Sequence, residues 1–257
     1  MERRMRRALA AKVHLVLLPA MVGACSGPGQ SPSVGQNQPP PPAAATQPSA
    51  GARLVEFQPG LRIDYRVPQV EIDGEIILRE GALELFAYAK APTPKEHESI
   101  VMVRSRPLAV YQALGLIGLM PGQPPRYDAQ TRQSRPPSGD RVDVLVRYEK
   151  DGRKIEESAC NWMWNVATKS VMAPSVWLFT GSQRQEDGTF AADFEGTLVT
   201  VVDFPSSVLG PPALHSDSDA ELWLKARTDV IPPLGTKVVL ILRPAAPKGA
   251  SQAPARG

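Results

Sequence analysis

The chain has 257 residues and a formal net charge of +3, with 29 basic and 26 acidic residues. Residues 1–24 hold five of the basic residues and one of the acidic ones, which leaves 24 basic and 25 acidic residues in the rest of the chain. The basic excess therefore belongs to the N-terminus, and charge gives no reason to expect nucleic-acid binding.

Residues 1–24 have the pattern of an export signal. Four arginines and Lys12 precede the apolar run Val13–Val22, which is too short to span a membrane as a helix. The sequence VGAC that ends at Cys25 resembles the lipobox of bacterial lipoproteins, in which the cysteine is lipidated and becomes the first residue. We therefore expect a lipoprotein signal peptide at 1–24 and a lipid on Cys25. The alternative is an ordinary signal peptide, with Cys25 incidental.

Two polar, proline-rich segments flank the predicted domain. Residues 26–52 hold seven prolines and no charged residue, so they cannot bury enough apolar surface to offset the entropy of ordering. We expect a lipidated cysteine and disordered linker at 25–52, one domain at 53–243 and a disordered tail at 244–257. With a lipid on Cys25, Cys160 has no disulfide partner, and its apolar neighbours predict a buried structural thiol.

The predicted domain consists mostly of β-strands. Asp73-Gly74 and Asp151-Gly152 are strong signals for tight hairpin turns. Strands are predicted, from alternating or continuous apolar residues, at 83–89, 99–105, 141–148, 176–181, 189–194, 197–204, 220–226 and 236–242.

One segment predicts a helix, over about residues 106–118. Ser105 is a suitable N-cap, Pro107 fits the first turn, and apolar residues recur at helical spacing from Leu108. Gly118 is suited to end the helix. The expected fold class is α+β, a mainly antiparallel sheet with one main packed helix in a single domain.

Several sequence blocks, in this order, resemble the YdjY-like domain family of exported bacterial proteins over about residues 54–243. The blocks are VEIDGEIILREGALEL, KEHESIV, LGLIGLMPG, PPSGDRVDVLVRY, WLFTGS, AADFEGTLVTVVDFPSSVL and VIPPLGTKVVLIL. The resemblance implies an exported domain to which no biochemical function is assigned.

The block KEHES, residues 95–99, concentrates residue types used in catalysis. Catalytic candidates are His97, Glu98 and Ser99, because His97 and Ser99 share one face of a strand and are within reach of a hydrogen bond. A zinc-protease motif is absent, since the position for its second histidine is Val101. We therefore predict no metal and no cofactor.

Ligand-binding candidates extend this set to residues far away in the sequence. Ser182 follows a glycine in a predicted loop, and two carboxylates lie two residues apart on one predicted strand face. The candidates are Glu96, His97, Ser182, Asp193 and Glu195.

A structural interpretation of KEHES competes with the functional one. In it the block is a polar turn leading into a strand, His97 and Ser99 form local hydrogen bonds, and Lys95 and Glu96 face solvent. The structural interpretation is favoured, because isolated polar clusters predict sites poorly.

The functional hypothesis from sequence is a membrane-tethered lipoprotein of the cell envelope that binds a ligand or partner without catalysis. The alternative is an envelope enzyme, hydrolytic or metal-assisted, centred on His97. The expected location is the cell membrane or outer membrane, facing the periplasm. The expected partners are the membrane, through Cys25, and an envelope protein or small molecule, with no nucleic acid.

Overall fold

A computed structural model describes residues 54–128, 130–216, 218 and 221–246, all within the compact unit Gln47–Gly257. The predicted signal peptide at 1–24, the lipidation site Cys25, the linker to residue 52 and most of the predicted tail lie outside the described residues. In the described part, no helix has both the length and the apolar character needed to cross a membrane.

The described chain folds mainly into β-strands. The strands are β1 (Val55–Gln58), β2 (Leu61–Asp64), β3 (Gln69–Ile76), β4 (Leu85–Ala89), β5 (Ser99–Val103), β6 (Arg126–Asp128), β7 (Gln133–Arg135), β8 (Arg141–Lys150), β9 (Arg153–Ser158), β10 (Met163–Asn165), β11 (Ser170–Val171), β12 (Trp177–Phe179), β13 (Thr197–Thr200), β14 (Leu209–Gly210), β15 (Leu224–Ala226) and β16 (Lys237–Pro244). The helices are α1 (Pro107–Leu116), a 3₁₀ turn (Ala159–Trp162) and α2 (Ala191–Glu195).

Eight strands close into a barrel, so the predicted α+β class is wrong. The ring runs β3-β16-β8-β12-β14-β13-β4-β5 and returns to β3. Strands make up 41% of the structure and helices 11%. A closed sheet buries its own inner face, so the core forms inside the ring and does not need a helical layer. Two pairs in the ring, β4–β5 and β13–β14, are parallel.

The strand β3 lets the ring close. Its first half pairs with β2 on one edge, and from Gly74 onward the same edge pairs with β5, while β16 covers the other edge. A Cβ at residue 74 would lie 2.9 Å from a Val101 methyl group, so glycine permits this close approach. The hairpin turn predicted at Asp73-Gly74 is therefore wrong, because both residues lie inside a continuous strand.

The second hairpin prediction is confirmed. Asp151 and Gly152 join β8 to β9 with φ of 52° and 71°, the left-handed conformation that a two-residue turn between twisted strands requires. The burial of β8 alternates along its length until Tyr148, as its sequence pattern predicts.

Helix α1 matches the predicted helix closely, but its N-terminus is capped from elsewhere. The N-cap residue is Arg106, without a side-chain cap of its own. Instead the backbone N–H of Leu108 donates to Asp193 Oδ1 at 2.8 Å. Ser105 is therefore not the cap, and the N–H of Leu108, one of the free N–H groups at the start of the helix, is satisfied by a carboxylate 85 residues further along the chain.

The strand predicted at 189–194 is also wrong, because residues 191–195 form helix α2. The helix ends at Gly196, whose φ is 74°. A Cβ there would lie 2.3 Å from the carbonyl oxygen of Ala89, so the position requires glycine.

The core contains the largest aromatic side chains. Those fully buried are Trp162, Trp177, Tyr88, Phe86 and Phe179. Cys160 is a free, buried thiol next to this core, with its sulfur 3.8 Å from the carbonyl oxygen of Ser175. The prediction of a buried thiol is confirmed.

Candidate functional site

The KEHES block forms a turn that ends where β5 begins, at Ser99. The side chain of His97 is 77% exposed, whereas Ser99 is fully buried. They make no hydrogen bond to each other, so the predicted contact between them is wrong. The only ionic contact of His97 in the described structure is Nε2 to Glu98 Oε2 at 3.7 Å, and Glu96 is exposed.

Lys95 does not face solvent, contrary to the sequence-based expectation. Its side chain is 13% exposed, and its Nζ lies 2.5 Å from Glu98 Oε1 and 3.3 Å from Glu84 Oε2. The same ammonium lies 4.7 Å from the centroid of the Phe204 ring. Both carboxylates are nearly buried as well, with side-chain exposures of 11% for Glu84 and 14% for Glu98.

The ammonium of Lys95 can balance the charge of only one of the two carboxylates, so the cluster carries an excess negative charge when both Glu84 and Glu98 are ionised. Burial, together with the hydrogen bond and charge of Glu98, raises the pKa of Glu84 to about 7. Burial lowers the pKa of Lys95, but its contacts with Glu98 and Glu84 outweigh that effect and the net pKa is raised. The cluster therefore holds a charged lysine and a proton on Glu84 that is lost near neutral pH.

The hydroxyl of Ser99 is buried and has no hydrogen-bond partner among the residues that the structure describes. A nucleophilic serine needs a base within hydrogen-bond distance, and none contacts Ser99. The three catalytic candidates therefore point in different directions: His97 to solvent, Glu98 to Lys95 and Ser99 into the core.

Asp193 and Glu195, expected on one strand face, lie instead on α2 and have separate structural partners. Asp193 caps α1 and forms an ion pair with Arg106 Nη2 at 2.5 Å. Glu195 accepts a hydrogen bond from Ser206, whose hydroxyl also accepts one from Thr197 at 2.9 Å. No hydrogen bond or ion pair joins either carboxylate to the KEHES block within the described residues.

Ser182 is the one predicted ligand-binding residue that lines a large cleft. It has φ of 60°, follows Gly181 at φ of 85°, and lines a cavity of about 690 Å³. Its hydroxyl accepts a hydrogen bond from the N–H of Ala192 at 3.2 Å, and its own N–H donates to Ser207 at 2.8 Å. These bonds hold the strained turn in place and occupy the hydroxyl.

The cleft is electropositive. Its side chains include Arg126 and Arg184, and no aspartate or glutamate among the described residues lines it. Neither arginine forms an ion pair with any described residue, whereas the neighbouring Arg135 is paired with Asp128 at 2.8 Å. Two exposed guanidinium groups therefore face one cavity without an anionic partner.

Both guanidinium groups are oriented by neutral neighbours. Arg126 donates to the side-chain oxygen of Gln123. Arg184 donates to the carbonyl of Gly188 at 3.2 Å and lies 5.6 Å from the centroid of the Phe190 ring. The remaining N–H donors of each group are available to a ligand.

Aromatic rings form a rigid wall of the cleft. Tyr111 packs against Phe190 with ring centroids 5.4 Å apart and against Phe179 at 5.3 Å. A Cβ at residue 181 would lie 2.8 Å from the Pro121 Cβ, so the loops on the two sides of the cleft are in close contact there. This arrangement can bind an anion, but no histidine from the described segments lines the cleft to activate Ser182.

Among the described residues, no group of three or more histidine, cysteine, aspartate or glutamate side chains is placed to hold a metal ion. Sequence reasoning missed Glu84, Arg126 and Arg184. Each is a single charged residue in an unremarkable context, and its role depends on neighbours from other segments.

A family model described as the YdjY domain matches residues 61–243. Comparison with curated proteins and with solved structures gave no match.

Proposed function

This chain belongs to the YdjY domain family, to which no function is assigned, and we propose that its domain is a non-enzymatic module that binds an anionic ligand. The ligand occupies the cleft between Arg126 and Arg184. The observation that carries the proposal is the pair of guanidinium groups that share a cavity of about 690 Å³, to which the described part of the chain contributes no carboxylate.

The chemistry of the two arginines indicates the ligand class. A guanidinium group forms paired, charge-assisted hydrogen bonds with a carboxylate or a phosphate. The two arginines come from separate segments, so a ligand with two or more anionic groups can engage both. The aromatic wall and Tyr127, which is 67% exposed, add surface for the rest of the ligand.

The cleft is held in its shape before any ligand arrives. The Gly181–Ser182 turn is fixed by backbone hydrogen bonds to Val208 and Ser207 at 3.1 and 2.8 Å. Phe190 supports Arg184 from one side. A preformed site loses little conformational entropy on binding, which favours affinity.

The proposed cellular context comes from the N-terminal sequence. The VGAC block supports a lipid on Cys25, and residues 26–52 support a tether that stretches on the order of 80–90 Å when fully extended. In this proposal the module is anchored to the cell membrane or outer membrane and faces the periplasm. Cys25→Ser is expected to move the protein from the membrane fraction to the soluble fraction, and unchanged membrane association contradicts the anchor.

The alternative of an enzyme centred on His97 has less support. His97 is exposed, its one ionic contact is 3.7 Å long, and Ser99 is buried out of its reach. General acid–base catalysis needs a base within hydrogen-bond distance of a nucleophile or substrate, usually inside a cavity.

Isothermal titration calorimetry with two probes, tripolyphosphate and citrate, tests the binding proposal. We expect measurable binding of at least one probe to the purified protein. The double variant Arg126→Gln/Arg184→Gln is expected to lower the affinity by about a hundredfold or more, since each of the two lost charge-assisted contacts costs about 1.5–3 kcal/mol.

The matched control is Arg153→Gln, since Arg153 is exposed at the tip of the β8–β9 hairpin and does not line the cleft. Its affinity is expected to equal that of the parent protein. Absence of binding of both probes to the parent protein, or equal losses in the cleft variant and the control, contradicts the proposal.

A further inference from the structure

We infer a second, separate binding site for a small aromatic ligand, in the pocket between Trp177 and Trp223. The pocket has a volume of about 200 Å³. It shares no lining residue with the arginine cleft, so the inference is independent of the proposed function.

The pocket is lined mainly by apolar side chains from segments far apart in sequence. Met172, Trp177 and Val201 form its buried part, and Pro211, Pro212 and Trp223 complete it. Apolar, aromatic walls with few polar groups are typical of sites for small organic ligands. An apolar cavity of roughly 150 Å³ is large enough to bind benzene, so this pocket holds a single substituted ring.

The two indole rings that line the pocket are locked in position. Trp177 Nε1 donates to the carbonyl of Thr200 at 2.9 Å, and Trp223 Nε1 donates to the carbonyl of Val201 at 2.8 Å. Because both N–H donors are used by the protein, the indoles offer a ligand only their carbon surfaces. Locked flat rings favour a ligand that is itself flat and aromatic.

His215 supplies a polar group to the pocket wall. Its imidazole stacks on Trp223, with centroids 4.0 Å apart and planes inclined by 9°. The backbone of His215 is fixed by Asp203, since its N–H donates to Asp203 Oδ2 at 3.0 Å and its carbonyl accepts from the N–H of Asp203 at 2.9 Å. The stacked ring is therefore held against the indole by the loop itself.

The imidazole is suited to a neutral ligand. Burial lowers the pKa of His215, which favours the uncharged ring at neutral pH. Its nitrogens form no hydrogen bond with another described residue. The hydroxyl of Ser175, also at the wall, already donates to the carbonyl of Val176 at 3.3 Å. A ring with one hydroxyl group therefore matches both the walls and the free nitrogen of His215.

The energetics support a ligand site over a packing defect. Cavities lined by large side chains cost stability in a core that is otherwise closely packed. Here the hydrogen bonds of the two indoles fix two walls of the pocket, and exposed lining residues, such as Ala213, give it a route to solvent.

Phenol, toluene and cyclohexanol are the probes for the test, which follows the four tryptophan indole N–H signals by nuclear magnetic resonance. Trp177 and Trp223 line the pocket, whereas Trp162 and Trp164 do not. We expect millimolar phenol to shift the signals of the first pair and leave the second pair unchanged. Toluene is expected to act on the same pair, and cyclohexanol to bind more weakly than either.

Two variants distinguish the contribution of the hydrogen bond between the ligand and His215 from the contribution of the shape of the pocket. His215→Phe keeps an aromatic ring that can stack on Trp223 but removes the imidazole nitrogens. We expect it to lower the affinity for phenol by about fivefold or more and to leave the affinity for toluene unchanged. Ala213→Phe, at an exposed position of the rim, is expected to block all three probes. His97→Phe, at an exposed position outside the pocket, is the matched control and is expected to leave the binding of all three probes unchanged.

Three results overturn the inference. The first is the absence of any shift with phenol and toluene in the parent protein. The second is a shift of all four indole signals together, which indicates nonspecific binding. The third is cyclohexanol binding as tightly as phenol, which shows a general apolar cavity without aromatic selectivity.

Discussion

The KEHES turn and the arginine cleft differ in where their charges find partners. In the turn, Lys95 is enclosed by Glu84 and Glu98, so the charges are neutralised inside the protein. In the cleft, Arg126 and Arg184 face a cavity that is lined by no carboxylate from the described chain, so neither arginine has an anionic partner there. Residues with reactive side chains that are consecutive in sequence, as in KEHES, can therefore have purely structural roles. The proposed binding surface is formed instead by residues that are isolated in sequence and brought together by the fold.

The largest expected effect comes from breaking the neutralised cluster. Lys95→Met leaves two nearly buried carboxylates without their ammonium, and we expect a loss of about 3 kcal/mol in the free energy of unfolding. Urea denaturation at pH 8 measures it. Glu96→Gln, at an exposed neighbour, is the control and is expected to change stability by less than about 0.5 kcal/mol. Equal losses in the two variants contradict the assigned role of Lys95.

A second, smaller effect is the pH dependence that Glu84 imposes. Its pKa is raised from 4.5 to about 7 in the folded protein, so the stability it contributes is complete below about pH 4.5 and is lost as the pH rises through 7. We expect the urea midpoint of the parent protein to fall over this range. In Glu84→Gln the fall is expected to be smaller, because no proton is released there; an identical pH profile refutes the assignment.

Asp193 tests the contrast between a charged residue with a structural role and the ligand-binding arginines of the cleft. Asp193→Ala removes the cap of α1, and we expect a loss of about 1–2 kcal/mol in the free energy of unfolding. Arg106→Gln removes only the exposed ion pair and is expected to cost less than about 1 kcal/mol. Anion binding to the cleft is expected to be unchanged in Arg106→Gln; a loss of binding in this variant indicates that the site extends to Arg106 at the start of α1.

The smallest changes in stability are expected for Ser99 and His97, the two residues at the centre of the catalytic hypothesis. Ser99→Ala removes a buried hydroxyl without a partner, so stability is expected to stay constant or rise by up to about 1 kcal/mol. His97→Gln is expected to change it by less than about 0.5 kcal/mol, since the side chain is exposed. Thermal unfolding of both variants checks this, and a clear loss in Ser99→Ala contradicts the burial of an unpaired hydroxyl.

Local features of the fold followed from the sequence, and long-range ones did not. Helix α1, strand β8 and the turn at Asp151-Gly152 are determined by periodicity and turn chemistry within a few residues. Closure of the barrel depends on β3 changing partner at Gly74 and on two parallel pairings, which are contacts between distant segments. Gly74 predicts a turn when the sequence is considered alone, whereas in the fold it permits two strands to pack closely.

The candidate site was less predictable than the fold for the same reason. Ser182 was identified from its position after a glycine, and it does line the cleft. Arg126 and Arg184 carry no local signal, because an arginine without an ion pair can be recognised only when its surroundings are known. Glu84 was missed likewise, since its partners Lys95 and Glu98 follow it by more than ten residues.

The most direct test of the account compares the two regions in one experiment. The probe that binds the parent protein, tripolyphosphate or citrate, is titrated at low and at moderate salt into the parent protein, Arg126→Gln/Arg184→Gln and the KEHES variant Glu96→Gln/His97→Gln. We expect binding that weakens with salt, is lost in the arginine variant and is retained in the KEHES variant. Binding that survives loss of both arginines, or that disappears in the KEHES variant, contradicts the central claim.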